Sequence, residues 1–195
     1  MAHHVILASK SPRRKALLSE MGISFDVISK TVDESFPDGL SPIEAVRHIA
    51  EKKANAFQAD IKTGQLVVAA DTIVTLDGRI MGKPADEAHA RALLEMLSGR
   101  QHQVITAVAI LQPNHEMHIF HEITDVYFNV LTAAEIDYYI TNYRPLDKAG
   151  AYGIQEWIGA VAVDKIVGSY TNVVGLPTAA LCRALRQLVN TRSSL

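Results

Sequence analysis

A continuous apolar run between residues 66 and 76 constrains the fold of this chain more than any other feature. The run reads LVVAADTIVTL, is rich in β-branched residues, and is followed by the turn signal Asp77-Gly78. A run of this length and composition predicts a strand buried inside a sheet. Because helical and strand-like segments are mixed along the whole chain, the sequence predicts an α/β protein.

Capping signals indicate where the helices begin. Ser11-Pro12 and Ser41-Pro42 each combine an N-cap serine with proline at the first helical position, and Ser41 forms a capping box with Glu44. The predicted helices cover residues 11–21, 41–61, 86–97, 132–142 and about 177–189. The predicted strands cover residues 4–9, 25–30, 66–76, 79–81, 102–111, 117–131, 160–167 and 171–174. Frequent hairpins disfavour a doubly wound parallel sheet, so we expect a mixed sheet.

Composition narrows the class of protein. Of 195 residues, 48% are hydrophobic and 21% are charged, as in ordinary globular proteins, and the net charge of −2 gives no basic field for nucleic acid. The lone Cys182 excludes a disulfide within the chain. We find no membrane-spanning stretch and no signal-peptide pattern, so we expect a cytoplasmic protein with no nucleic-acid or membrane partner.

Three cations fill the first turn of the helix that begins at Ser11. Arg13, Arg14 and Lys15 lie where the helix dipole favours acidic residues. A phosphate bound at the helix N-terminus would turn this repulsion into attraction, and guanidinium groups bind phosphate oxygens in pairs. The alternative is a surface turn whose arginines extend into water.

The second predicted helix carries two adjacent lysines that differ in direction. At about 100° per residue, Lys53 lies within about 20° of Val46 on the apolar face, whereas Lys52 points away. A lysine beside an apolar face either extends to solvent or reaches into a pocket. Lys53, rather than Lys52, is therefore the candidate ligand.

Asp71 interrupts the buried run, and an ionised carboxylate there is costly unless it is paired or binds a metal. We interpret Asp71 as a metal ligand or general base. The alternative is a carboxylate at a strand end that is hydrogen-bonded to a loop. Its neighbour Thr72 could supply a hydroxyl to the same site.

Three further segments carry candidate ligands. In TVDESFPDG, Asp33 and Glu34 offer carboxylates for a metal–triphosphate site, but only one of two consecutive residues would face that site. In MGKPADE, Lys83 follows a glycine that allows close approach to phosphate. LDKAGAYGIQ holds Gln155 in a glycine-containing loop.

Taken together, these segments resemble the Maf family of nucleoside triphosphate pyrophosphatases. The matching pieces are ASKSPRR, VDES, EKKA, AADT, GKP, LDKAGAYGIQ and GSYTNVVGLP, in the family's order and spacing. The resemblance implies one domain over residues 1–195, with an elongated mixed sheet flanked by helices. It also implies a fold similar to the inosine triphosphate pyrophosphatases, with the active site in a cleft between two lobes, and often a homodimer.

The LDKAGAYGIQ segment is similar to the subfamily that hydrolyses dTTP and UTP to monophosphate and pyrophosphate. The alternatives are a non-catalytic nucleotide-sensing regulator of cell division and a pyrophosphatase that prefers 7-methyl-GTP. The resemblance implies a divalent cation, Mg²⁺ or Mn²⁺, held by Glu34 and Asp71. One departure is Glu156-Trp157, where relatives often have glycine, and Trp157 could reshape the base pocket or stack on the base.

The resemblance also assigns roles to individual residues. The position of Asp71 is the proposed proton acceptor, and those of Arg13, Thr72 and Gln155 are linked to substrate choice. The predicted catalytic residues are Asp71, Glu34, Lys53 and Lys83. The predicted substrate-binding residues are Ser9, Ser11, Arg13, Arg14, Thr72 and Gln155.

Overall fold

Residues 4–190 are described by a computed structural model, with side chains described through residue 188. Residues 1–3 and 191–195 of the predicted domain lie outside the described residues. The strands are β1 (His4–Leu7), β2 (Phe25–Val27), β3 (Gln65–Leu76), β4 (Arg79–Met81), β5 (Gln101–Leu111), β6 (Met117–Phe128) and β7 (Val163–Val167). The helices are α1 (Pro12–Glu20), α2 (Pro42–Asn55), α3 (Glu87–Leu97), α4 (Ala133–Tyr143), α5 (Trp157–Val161), α6 (Tyr170–Val174) and α7 (Thr178–Asn190).

The strands form one mixed sheet in the order β2-β1-β3-β5-β6-β7, and β4 pairs with β3. Strand β1 is parallel to both β2 and β3, whereas β4 is antiparallel to β3 and β7 is antiparallel to β6. The apolar run of residues 66–76 lies in β3, in which only the first residue, Gln65, and Thr72 are not buried. The predicted α/β class with a mixed sheet and flanking helices is confirmed.

Contacts divide the chain into two units. The first contains the chain up to Asp71, residues Thr106–Glu122 and the chain from Gly175 onward; the second contains Thr72–Ile105 and Ile123–Val174. The first unit buries β1, the centre of β3 and the apolar face of α2. In the second unit, α3, α4 and the segment 151–162 pack into one hydrophobic core, in which Tyr139 and Leu94 are fully buried.

The predicted helix caps are present. Ser41 and Glu44 form the expected capping box at α2, and Thr132 and Glu135 form the same arrangement at α4. Helix α2, however, ends at Asn55 and not near residue 61. Lys30 donates a 2.7 Å hydrogen bond to the Ala56 carbonyl at this end and thereby satisfies one of the carbonyls that a helix end leaves unpaired.

Of two strands predicted near the C-terminus, the one over residues 160–167 begins late, as β7, and the one over residues 171–174 is wrong. Residues 157–161 form α5 before β7 begins at Val163, and Tyr170–Val174 is the helix α6. The β-branched residues of this segment favour a strand, but the Ser169 hydroxyl accepts the Asn172 N–H at 3.3 Å, as an N-cap does. The buried Asn172 side chain then donates to the Val104 carbonyl at 3.0 Å. Tertiary hydrogen bonds therefore override the local propensity.

Among the described residues, no helix combines the length and the apolar character that a membrane span requires.

Candidate active site

Two serines shape the entry to α1. The buried Ser9 follows β1, and its hydroxyl oxygen accepts the Ser11 N–H at 3.1 Å. Ser11 is the N-cap, and its hydroxyl oxygen accepts the Arg14 N–H at 3.4 Å. Both hydroxyls thus help to build the turn that presents the arginines. Their predicted contacts with substrate stay predictions.

Arg13 and Arg14 at the start of α1 are half-buried, and Arg14 interacts with acids of the same unit. The Arg14 Nε donates a 2.8 Å hydrogen bond to the Gly175 carbonyl, which fixes the guanidinium plane. Burial lowers the pKa of Arg14, the nearby Asp71 and Glu34 raise it, and Arg13 lowers it. An arginine remains protonated at physiological pH despite such a shift. Arg14 therefore interacts with carboxylates and does not extend into water.

Lys53 forms ion pairs with both predicted metal ligands, Asp71 and Glu34. Its ammonium lies 2.6 Å from Asp71 Oδ1 and 2.9 Å from Glu34 Oε1. The side chains of Lys53 and Asp71 are only 15% and 13% exposed, whereas that of Glu34 is 47% exposed. Charge-assisted hydrogen bonds of this length are strong where water is scarce. The structure thus brings Lys53, Glu34 and Asp71 together, with Arg14 in electrostatic reach.

The neighbours of these residues point elsewhere, as the sequence predicts. Lys52 contacts Asp33 at 3.4 Å and the Ser35 carbonyl at 3.0 Å. The Ser35 hydroxyl and N–H, together with Lys52, lower the pKa of the exposed Asp33 to about 2. Lys53 therefore lies beside Asp71 and Lys52 does not, and only Glu34 of the acidic pair reaches the Lys53–Asp71 group. The predicted role of Lys53 toward substrate stays a prediction.

Three predicted site residues belong to the second unit. Thr72 follows Asp71 in β3, and consecutive side chains in a strand leave on opposite faces. Lys83 lies exposed after β4, and Gln155 lies exposed just before α5. Their predicted roles in catalysis and substrate choice stay predictions.

Sequence reasoning missed two features. The Gly175 carbonyl that anchors Arg14 lies 161 residues away in the chain, and no local pattern predicts such a contact. In the second unit, Glu156 interacts with the buried Lys148 and Tyr139, although the sequence marked Glu156 only as a departure. Its neighbour Trp157 packs against Tyr138 with 4.8 Å between ring centroids. This contact accounts for an apolar ring at that position.

The donor set suits a cation that arrives with phosphate. Across residues 4–190, no group of three or more histidine, cysteine or acidic side chains could hold a metal ion. Mg²⁺ is usually bound by one or two carboxylates together with substrate phosphates and water. Glu34 and Asp71 supply two carboxylates in one cluster, and Lys53 pairs with both in this structure. The residues present therefore fit a substrate-associated divalent ion better than a preformed cage.

Comparison with known proteins adds an independent observation. The chain matches the family model described as Maf-like protein over residues 4–188. A protein of Phocaeicola vulgatus named dTTP/UTP pyrophosphatase is 48% identical over 187 residues, which cover 95% of this chain and 96% of that protein. A Bacteroides fragilis protein with the same name is 47% identical over 189 residues, which cover 95% of this chain and 96% of the relative.

A third relative with that name, from Christiangramia forsetii, is 42% identical over 188 residues, which cover 96% of this chain and 95% of the relative. Among solved structures, the Staphylococcus aureus Ham1 protein aligns with a TM-score of 0.44 at 19% identity, over 64% of this chain and 71% of that chain. A similarity this low contributes nothing to the fold assignment, which depends on the strand order.

Proposed function

Because the chain belongs to the Maf-like protein family, we propose that it hydrolyses dTTP and UTP to the corresponding monophosphate and pyrophosphate. The observation that carries the proposal is the cluster in the first unit. There, Lys53 and Arg14 interact with the carboxylates of Asp71 and Glu34. The shared name of three relatives that align over almost the full chain supports the choice of substrates.

The reaction breaks the anhydride bond between the α- and β-phosphates. A water oxygen attacks the α-phosphorus and loses one proton to Asp71, the bond from the α-phosphorus to the bridging oxygen breaks, and pyrophosphate leaves with that oxygen. Asp71 suits this role because it is buried and held in one orientation by Lys53. A fixed carboxylate within reach of the water provides general-base catalysis.

The cations stabilise the charge that builds on the phosphate oxygens. Lys53 and the two arginines supply fixed positive charge that needs no rearrangement during the reaction, which is the main way enzymes stabilise such transition states. We assign Lys83 the same role toward the leaving group. Glu34 and Asp71 would hold the divalent ion. When bound, Mg²⁺ or Mn²⁺ neutralises phosphate charge and polarises the reacting bond.

Base selection is assigned to Gln155, with Arg13 and Thr72 as further contacts. A glutamine amide can donate to O4 of uracil or thymine and accept from N3–H. Sites that hydrogen-bond a substrate reject analogues that leave a partner unpaired. Ser9 and Ser11 complete the proposed substrate contacts. The proposal includes a cytoplasmic location, where nucleoside triphosphates are made and used, and a homodimer as the resemblance implies.

A pyrophosphate-release assay tests the proposal. Purified protein is incubated with dTTP, UTP, CTP, GTP or 7-methyl-GTP, with Mg²⁺, with Mn²⁺ or with a chelator. We expect dTTP and UTP to yield equal amounts of monophosphate and pyrophosphate, and chelation to stop the reaction. Nucleotide binding without turnover would support the sensor instead, and faster release from 7-methyl-GTP would support the other pyrophosphatase class.

A further inference from the structure

The second unit contains a buried ion pair beside the proposed base-reading residue. The Lys148 side chain is only 8% exposed, and its ammonium lies 3.1 Å from Glu156 Oε1. Asp147 contacts the same ammonium at 2.9 Å but is largely exposed. Because an unpaired buried charge is costly, Glu156 is the partner that keeps Lys148 buried.

Tyr139 connects this ion pair to the backbone of the Gly153–Glu156 turn. The fully buried Tyr139 hydroxyl donates to Glu156 Oε2 and accepts the Gly153 N–H at 3.0 Å. Burial raises the pKa of Tyr139, as does the Glu156 carboxylate, so the hydroxyl keeps its proton. The turn is closed by a 2.9 Å hydrogen bond from the Glu156 N–H to the Gly153 carbonyl. Glu156 and Tyr139 thus hold both ends of the turn.

The Gln155 side chain folds over Gly153 within this turn. A Cβ at Gly153 would lie 2.8 Å from Gln155 Nε2 and 3.0 Å from the Glu156 carboxyl carbon. Because Gly153 has no side chain, the Gln155 amide and the Glu156 carboxyl group can both lie close to its α-carbon. The position of the Gln155 amide consequently depends on the turn that Glu156 and Tyr139 hold.

We infer that Glu156 is a positioning residue that sets base selectivity. Through its contacts with Lys148 and Tyr139, it fixes the Gly153–Glu156 turn, which carries Gln155. The inference rests on the proposed function, in which Gln155 reads the base. A glutamine amide that can rotate would accept cytosine as readily as uracil, so discrimination requires a fixed amide. A buried ion pair adds little stability compared with apolar residues of similar volume, but it can impose one arrangement on its surroundings.

Selectivity of hydrolysis tests the inference. Glu156→Gln removes the buried carboxylate that pairs with Lys148 and leaves only the exposed Asp147 as its charged partner. Tyr139→Phe removes the hydroxyl while keeping the ring that stacks on Tyr143. For each variant, kcat and KM are measured with UTP, dTTP and CTP. We expect the ratio of kcat/KM for UTP to that for CTP to fall about tenfold, because small displacements of a positioned group have effects of this order or larger. Gln155→Ala, which removes the amide, gives the UTP-to-CTP ratio of kcat/KM expected when this side chain no longer discriminates between the bases.

A matched control is Asp77→Asn, which breaks the exposed 2.6 Å ion pair with Arg100 in the same unit. This variant should retain the wild-type ratio. Folding of each variant is checked by the emission of Trp157, the only tryptophan in the chain, which adjoins Glu156. If Glu156→Gln fails to fold, Tyr139→Phe carries the same prediction.

Folded variants that keep the wild-type ratio would overturn the inference, as would a loss of equal proportion for all three nucleotides. A wild-type protein that releases no pyrophosphate from any nucleotide would instead contradict the proposed function, whatever the variants do.

Discussion

Asp71 shows how one residue connects the fold to the proposed chemistry. Its side chain lies in an apolar strand and is 13% exposed, yet its carboxylate is matched by the Lys53 ammonium at 2.6 Å. Without that cation, a charge at this depth would cost several kcal/mol. The same pairing holds the carboxylate in one orientation, which a general base requires.

Replacing Asp71 by asparagine should separate chemistry from folding. The amide oxygen can still accept from Lys53, so we expect cooperative unfolding to remain. Turnover should fall roughly 10²–10³-fold, or about 3–4 kcal/mol in the transition state, as for the loss of one stabilising group. Pyrophosphate release from UTP measures the effect. Asp33→Asn is the control, because Asp33 is exposed and its contacts are with Lys52 and Ser35, not with Lys53. Wild-type turnover in folded Asp71→Asn protein would remove Asp71 from the mechanism.

Among the elements, the short helix α5 depends on a close approach of two backbone segments. Gly159 lies in its centre and donates its N–H to the Glu156 carbonyl at 2.9 Å. A Cβ at Gly159 would lie 1.7 Å from the Ile154 carbonyl oxygen, which is far too close for two non-bonded atoms. Helix α5 can therefore pack this closely against the Ile154 carbonyl only with glycine at position 159.

Gly159→Ala should destabilise the protein by about 3 kcal/mol or more, because the backbone must move to remove the clash. The better helix propensity of alanine would recover only about 1 kcal/mol. Gly82→Ala is the matched control, since no atom lies within 4 Å of its Cβ position. Urea unfolding followed by Trp157 emission compares the two variants. Equal midpoints for both would show that α5 does not pack as described.

For the molecule as a whole, the buried His102 links stability to pH. Burial lowers its pKa from 6.5 to about 4, and only the Arg100 backbone carbonyl partly opposes the shift. The folded protein therefore holds His102 neutral, with its Nε2 atom 2.7 Å from the Tyr152 hydroxyl. Between pH 6.5 and about 4 the unfolded chain binds a proton that the folded chain does not, so stability decreases as pH falls.

This shift corresponds to about 3 kcal/mol, present in full above pH 6.5 and lost by about pH 4. His102→Gln should lower stability at pH 7 but flatten the pH dependence across that window. Chemical denaturation at several pH values measures both quantities. A smaller slope will remain, because partial burial and Arg47 also lower the pKa of His121. An unchanged slope in His102→Gln would contradict the neutral, buried histidine.

The sequence by itself determined the features that depend on residues close together in the chain. These include the buried strand β3, the caps of α2 and α4, and the direction of Lys53, because side-chain direction follows directly from helix and strand periodicity. Only the tertiary structure decided which distant groups meet. It placed Lys53 between Glu34 and Asp71 and made residues 170–174 a helix by burying Asn172 against the Val104 carbonyl. Such contacts depend on how whole elements pack, and local propensities of well under 1 kcal/mol per residue cannot specify that packing.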